Sequence, residues 1–247
     1  NIFFSKKHLN RVILFIFLYF IACLCTAQEC LNDIDLSKIP YKEVRELVLS
    51  QKKSNIECIK DIKSSCSSDF KCSEYYKQIR NYSVDKSLET VWQNYSGSQT
   101  QRVYNSKKLA LGLMLCKKNE KEKILYPSSN FGKLDTGQVI YLKLKFLRGI
   151  LKMAVAFEIN KIDTLKKTIE FSYVKGGKSR GKQIIEFKET DKNKTSIVHT
   201  SFYKSSSKIR DRVLYPFFHS KVTAEFHENF KKVLCQNPQS IATCTEP

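Results

Sequence analysis

A chain of 247 residues that is 42% hydrophobic and 27% charged is too apolar to be disordered and long enough to bury a core without metal support. Its 43 Lys and Arg against 24 Asp and Glu give a net charge of +19, which favours anionic surfaces. The cations are spread along the chain without a run of five and are not clustered beside aromatic residues, so no nucleic-acid partner is expected.

The first predicted element is an export signal over residues 1–27. Lys6, Lys7 and Arg11 make a basic start, and the stretch from Val12 to Cys25 is uncharged over 14 residues. Crossing a bilayer takes about 20, so cleavage is expected rather than anchoring. Cys25, Thr26 and Ala27 offer small residues at a cleavage site, leaving Gln28 first. Removing three basic residues and no acid from +19 leaves +16. A competing reading takes Phe20 to Cys23 as similar to a bacterial lipobox, with lipid on Cys23. Both place the protein outside the cytoplasm, secreted, periplasmic or in the cell envelope.

Residues 28–80 hold four cysteines and read as short helices. Val44, Leu47 and Val48 recur at helical spacing, as do Ile56, Ile59 and Ile62, and Ser64 to Ser68 breaks them from Tyr75, Tyr76 and Ile79. The cysteines after the signal are Cys30, Cys58, Cys66, Cys72, Cys116, Cys235 and Cys244. An oxidising compartment should pair most of them. Disulfides are expected among Cys30, Cys58, Cys66 and Cys72, and between Cys235 and Cys244. Cys116, inside the apolar run that begins at Leu109, is the candidate for a buried thiol left over. A zinc site is disfavoured, because no C-x2-C pair follows the signal and the histidines are not interleaved with cysteines.

Residues 81–235 form the main domain, and from Gln138 onward the texture changes to alternating residues. Ile140, Leu142, Leu144 and Phe146 share one face of a strand, and the run from Leu151 to Ile159 gives a second. Ile169, Phe171 and Tyr173 mark a third, Ile184 with Glu186 and Phe187 a fourth, and Ser196 to Tyr203 a fifth. Gly176, Gly177 and Gly181 separate the third from the fourth, and Asp191 to Lys194 the fourth from the fifth. Short polar turns between consecutive strands imply an antiparallel meander. Leu214, Phe218, Val222, Phe226, Phe230 and Leu234 then recur every four residues, widened by Val213, Phe217 and Val233, which predicts a long amphipathic helix over the sheet. Pro216 should start or bend it, and Asn237 and Pro238 should end it before a tail over 236–247. The fold class is α+β, a curved antiparallel sheet gripped by a C-terminal helix.

This order resembles the helix-grip fold of the START-related, birch-pollen-allergen-like superfamily of polyketide-cyclase and lipid-transport domains, over roughly residues 84 to 235. The resemblance is carried by Val91-Trp92, Gly137 to Ile140, Ala156 to Ile159, the turn Gly176 to Gly181, and Tyr215 to His219. It implies a non-enzymatic protein that binds a lipid or other apolar small molecule between sheet and helix, with no cofactor and no metal. Phe157, Phe171, Tyr173, His199, Tyr203, Arg210, Phe218, His219, Val222 and Phe226 are the candidate cavity residues.

No nucleophile elbow, zincin helix or phosphate-cradling loop occurs, and Gly176 to Gly181 reads better as a hairpin turn. The histidines after the signal, His199, His219 and His227, cluster late in the chain. One alternative is a cyclase or hydrolase using His199 or His219 as a general base held by Asp211 or Glu225. His219 and His227, eight residues apart, diverge by about 80° on a helix and so do not chelate. The plainer expectation is that histidines and tyrosines satisfy polar groups where helix meets sheet. A third reading is a surface protein that binds anionic lipid or glycan. Asn81, Asn94 and Asn193 stand in sequons that matter only in a glycosylating host.

Overall fold

The computed structural model describes residues 30–54, 56–66, 70–97, 100–118 and 124–236. The expected export signal and the tail with Asn237, Pro238 and Cys244 lie outside them. Among the described residues no helix is long and apolar enough to cross a membrane.

Eight strands make one antiparallel sheet. In chain order they are β1 (Tyr76–Val84), β2 (Leu109–Cys116), β3 (Ile124–Leu125), β4 (Gln138–Phe146), β5 (Leu151–Asp163), β6 (Thr168–Tyr173), β7 (Arg180–Asp191) and β8 (Lys194–Lys204). Their order across the sheet is β1-β8-β7-β6-β5-β4-β2-β3. Four helices accompany them: α1 (Lys42–Lys53), α2 (Leu88–Ser96), α3 (Thr100–Val103) and α4 (Tyr215–Cys235). The architecture is the curved sheet with a long C-terminal helix that the sequence implies.

The sheet is buried differently on its two faces. Ile140, Leu142, Leu144 and Phe146 of β4 face inward to one core with Phe226, Phe230, Val233 and Leu234 of α4. The alternate residues Val139 and Tyr141 face outward to a second core, built from Leu31, Ile39, Val44, Val48, Ile59 and Ile62. Strands covered on both sides carry apolar residues without alternation, which is why β2 is buried at every position. Its parity changes midway. A register shift between Leu111 and Leu113 places Leu109, Leu111, Met114 and Cys116 inward but Leu113 and Leu115 outward. Gly112 sits at the shift, where a Cβ would stand 2.8 Å from a Val44 methyl of α1.

Three local expectations give way. Ile56, Ile59 and Ile62 do not lie on a helix, since only a 3-10 turn, Ile59–Asp61, forms there. Tyr76 and Ile79 belong to β1, an edge strand paired along its length with β8. Two inner side chains of β1 are polar and bond the helix, while Val84 is buried in the core: Gln78 donates from Nε2 to the Pro216 carbonyl at 3.2 Å, and the Tyr82 hydroxyl donates to Thr223 Oγ1 at 2.9 Å. Along β7 the buried face is Gln183, Ile185 and Phe187, with Ile184 and Glu186 alternating to the other side. Gly181 lies within β7 rather than in the preceding turn.

The helix α4 begins with Pro216 in its first turn, where its missing N–H costs nothing, and follows a wide turn over Arg210–Leu214. Phe226, Phe230, Val233 and Leu234 are buried, but Val213, Leu214 and Phe217 are exposed and do not widen the stripe. Asn229 Nδ2 donates to the carbonyls of Arg102, Val103 and Asn105, and Lys108 pairs with Glu225 at 2.5 Å. Each buried side chain of the stripe contributes about 1.5 to 3 kcal/mol. A partly exposed ion pair adds about 0 to 1 kcal/mol. The stripe therefore holds the helix, and the polar contacts set its position along the sheet.

Candidate functional site

Between α4 and the inner face of the sheet lies a cavity of about 360 Å³. Strand alternation forms its wall, because Ile140, Leu142, Leu144, Met153, Val155 and Phe157 all project to that side. Every candidate cavity residue named from the sequence lines it except Tyr203. The Tyr203 ring instead stacks on Tyr215 with centroids 3.7 Å apart and on Tyr76 at 5.9 Å. Sequence reasoning missed Tyr104, Gln183, Tyr215 and Thr223, which also line it. Gln183 was the hardest of these to find, since a glutamine in a strand ordinarily marks the solvent face.

The polar groups at the cavity form two hydrogen-bonded chains on β1, β6, β7, β8 and α4. Gln78 Nε2 is committed to the Pro216 carbonyl, so its Oε1 accepts from His219 Nδ1 at 2.9 Å. His219 Nε2 then carries no proton and accepts from the Ser201 hydroxyl at 3.3 Å. Gln183 Nε2 donates to the Tyr173 hydroxyl at 3.2 Å, so its Oε1 accepts from His199 Nε2 at 2.6 Å. His199 Nδ1 must accept in turn, from His227 Nε2 at 3.0 Å. The assignment follows from the network, with all three imidazoles neutral. The Tyr173 hydroxyl also bonds the Tyr215 hydroxyl.

Burial supports this state. It pushes the His199 imidazole down to about 3. His219 is held well below the usual imidazole range by burial, then by His199 and Arg80. His227 is held there by burial, then by His199, Lys231 and His219. The carboxylates that a catalytic reading requires are elsewhere. Glu225 is spent on Lys108, and Asp211 Oδ2 accepts from the Ser205 N–H at 2.8 Å. Neither orients a histidine. The lone pairs of His199 and His219 that could serve a general base are already filled, by His227 and Ser201. Among the described residues no group of three or more His, Cys, Asp or Glu side chains could hold a metal ion. The arrangement can bind and orient a small molecule.

No known family matches the chain by sequence, and no curated protein does. Similar solved structures include norcoclaurine synthase from Thalictrum flavum in complex with dopamine and hydroxybenzaldehyde, at 12% identity over 73% of this chain and 96% of that one, TM-score 0.47. They include the protein Ms6760 from Mycobacterium smegmatis, at 12% identity over 66% and 93%, TM-score 0.47. They also include Ara h 8.0201, at 10% identity over 66% and 99%, TM-score 0.46. By its own topology the chain has the helix-grip fold of the START-related, birch-pollen-allergen-like kind. Function has to be argued from the cavity, since one fold serves many chemistries.

Proposed function

We propose that this is an exported, non-enzymatic protein that holds a lipid or other apolar small molecule between the sheet and α4. The cavity carries the reading. It offers about 360 Å³, is open at one end and is walled chiefly by apolar side chains, the size and lining of a small-molecule site. The polar set of Gln183, His199, His219 and the Tyr173–Tyr215 pair then fixes the orientation of that occupant, as the few polar groups of an apolar pocket do.

Export and disulfides belong to the same proposal. Cys30 and Cys58 face each other across an isolated β-bridge, and burial followed by Cys58 pushes the Cys30 thiol up. Cys66 is half-buried and Cys72 exposed; no S–S bond joins the cysteines of the described residues. Native mass spectrometry of protein purified from its host tests these points together. The expected result is a complex heavier than the chain by a lipid-sized mass, with Gln28 first and two hydrogen atoms lost per disulfide. Protein that is bare under every gentle condition would remove the carrier. A start at lipidated Cys23 would replace secretion by anchoring.

A second reading, an anionic lipid surface as partner, is favoured by the rim of the cavity. Of the ten large hydrophobic residues exposed among the described residues, Leu147, Ile150, Leu151, Ile209, Val213, Leu214 and Phe217 lie on the β4–β5 turn and the start of the last helical element. The two segments adjoin, with Phe146 and Phe218 rings 4.7 Å apart. The turn is strained, for Leu147 and Arg148 hold φ at 49° and 57°. Arg148, Lys208, Arg212 and Lys221 are interleaved with the apolar residues, and none makes an ion pair with a described carboxylate. Apolar side chains among cations fit a bilayer better than a glycan. Co-sedimentation should show binding to vesicles containing phosphatidylserine, reduced for Ile150→Glu and weakened by salt. Absence of binding to such vesicles at low salt would eliminate the surface partner.

A further inference from the structure

The charge on the cavity wall is of one sign. Lys152, Lys178 and Arg210 line it, and no Asp or Glu does. They are not equivalent. Lys152 alternates with Met153 and Val155, so its side chain leaves on the outer face of β5, where it acts on Glu43. Lys178 is exposed in the β6–β7 turn and offers its carbonyl inward. Arg210 is half-buried at the open end and fixed there: one terminal nitrogen donates to the Lys178 carbonyl at 2.9 Å and the other to Ser179 Oγ at 2.8 Å.

Two neutral partners leave a guanidinium with donors to spare and its charge uncompensated. Among the described residues no carboxylate lies within ion-pair distance of it. Its field reaches the hydroxyls of both Tyr173 and Tyr215, which line the cavity beside it. A fixed, half-desolvated cation at the mouth of an apolar chamber is costly unless an anion meets it. A planar fork pre-positioned by two hydrogen bonds suits carboxylate or phosphate oxygens.

We propose that the occupant is an anionic amphiphile, its hydrocarbon chain inside the cavity and its carboxylate or phosphate head on Arg210, with Tyr173 and Tyr215 as neighbouring hydroxyls. The inference rests on the carrier reading and narrows it. Isothermal titration calorimetry near neutral pH compares dodecanoate, dodecyl phosphate and dodecanol on the full chain. Both anions should bind about ten- to a hundredfold more tightly than the alcohol, the worth of a charge-assisted hydrogen-bonded pair. Arg210→Gln should erase that preference, while Arg210→Lys keeps part of it. Dodecanol binding as tightly as the anions would overturn the head-group assignment and leave the carrier intact. So would a preference that survives in Arg210→Gln. Binding of sodium acetate or inorganic phosphate alone with equal affinity would make the site one for a free anion, which also overturns the proposal. Failure of all three long-chain probes would overturn the carrier reading with it. The wild-type comparison of acid with alcohol decides the matter even if the variant does not fold.

Discussion

Lowering the pH from 7 to 5 is expected to destabilise the protein. The cause is the buried trio of His199, His219 and His227, each pushed below the ordinary imidazole value of 6.5. The folded protein therefore binds fewer protons than the unfolded chain throughout this window. Stability contributed by keeping the trio neutral is fully present above about pH 6.5 and is lost as pH falls. The loss ends only below the folded values, which for His199 is about 3. Between pH 7 and 5 His199, with its folded value at about 3, costs about 2 kcal/mol, and His219 and His227 act in the same direction. Charging His199 or His219 also breaks a bond, because His199 Nδ1 and His219 Nε2 are acceptors in the network. Urea midpoints across this range would fall with falling pH, less steeply in His227→Gln. Midpoints that do not change between pH 7 and 5 would mean that the histidines are not buried neutral.

Replacing Gly181 by alanine is expected to be the most damaging single methyl in the sheet. The added Cβ would lie 2.0 Å from the Phe202 carbonyl oxygen and 2.8 Å from its carbon, and Gly181 holds φ at +128°. The obstacle is backbone of the neighbouring strand, which cannot swing aside as a side chain can. Overpacking of about 1 to 3 kcal/mol and backbone strain of about 1 to 3 kcal/mol add to a cost of about 2 to 6 kcal/mol. Gly176 is the control. It has φ +90° but nothing within 4 Å of the added carbon, so its alanine variant bears only the strain. Thermal melts of the two variants side by side check the difference. Equal melting points would refute the close approach of β7 to β8.

The central strands and the last helix were legible because their periodicities are written in apolar residues. Ile140 to Phe146 alternate, and Phe218 to Leu234 step by four along the face that meets the sheet. β1 was not legible, for a physical reason. Its inward residues Gln78 and Tyr82 meet the carbonyl of Pro216 and the hydroxyl of Thr223, while its apolar Ile79 is 47% exposed. The alternation exists, but it is written in hydrogen bonds, and a hydrophobicity pattern does not register it. The parity change at Gly112 hid β2 in the same way, since a bulge and a second buried face turn an alternating strand into a continuous apolar run.

The candidate site was legible in part. Phe157, Phe171, Phe218 and Phe226 fall on its wall because large apolar side chains on inward positions have nowhere else to go. The pairing of a histidine with Asp211 or Glu225, which the enzyme alternative required, did not form. Nearness in sequence says little about side chains at different points of a turn and a helix, and each acid found a nearer donor, Ser205 N–H or Lys108.

The second core has a practical meaning for anyone cutting this chain. A fragment starting at residue 76 would keep all eight strands and α4, and so the whole outline of a helix grip. It would also strip the cover from Leu113, Leu115, Val139 and Tyr141, and leave the Tyr141 hydroxyl without Gln51, whose Oε1 it meets at 2.6 Å. The part of the protein that carries the recognisable shape is thus smaller than the part that can stay soluble by itself. The segment before it works as the missing outer layer of the sheet, inseparable from the wall whose other side faces the cavity.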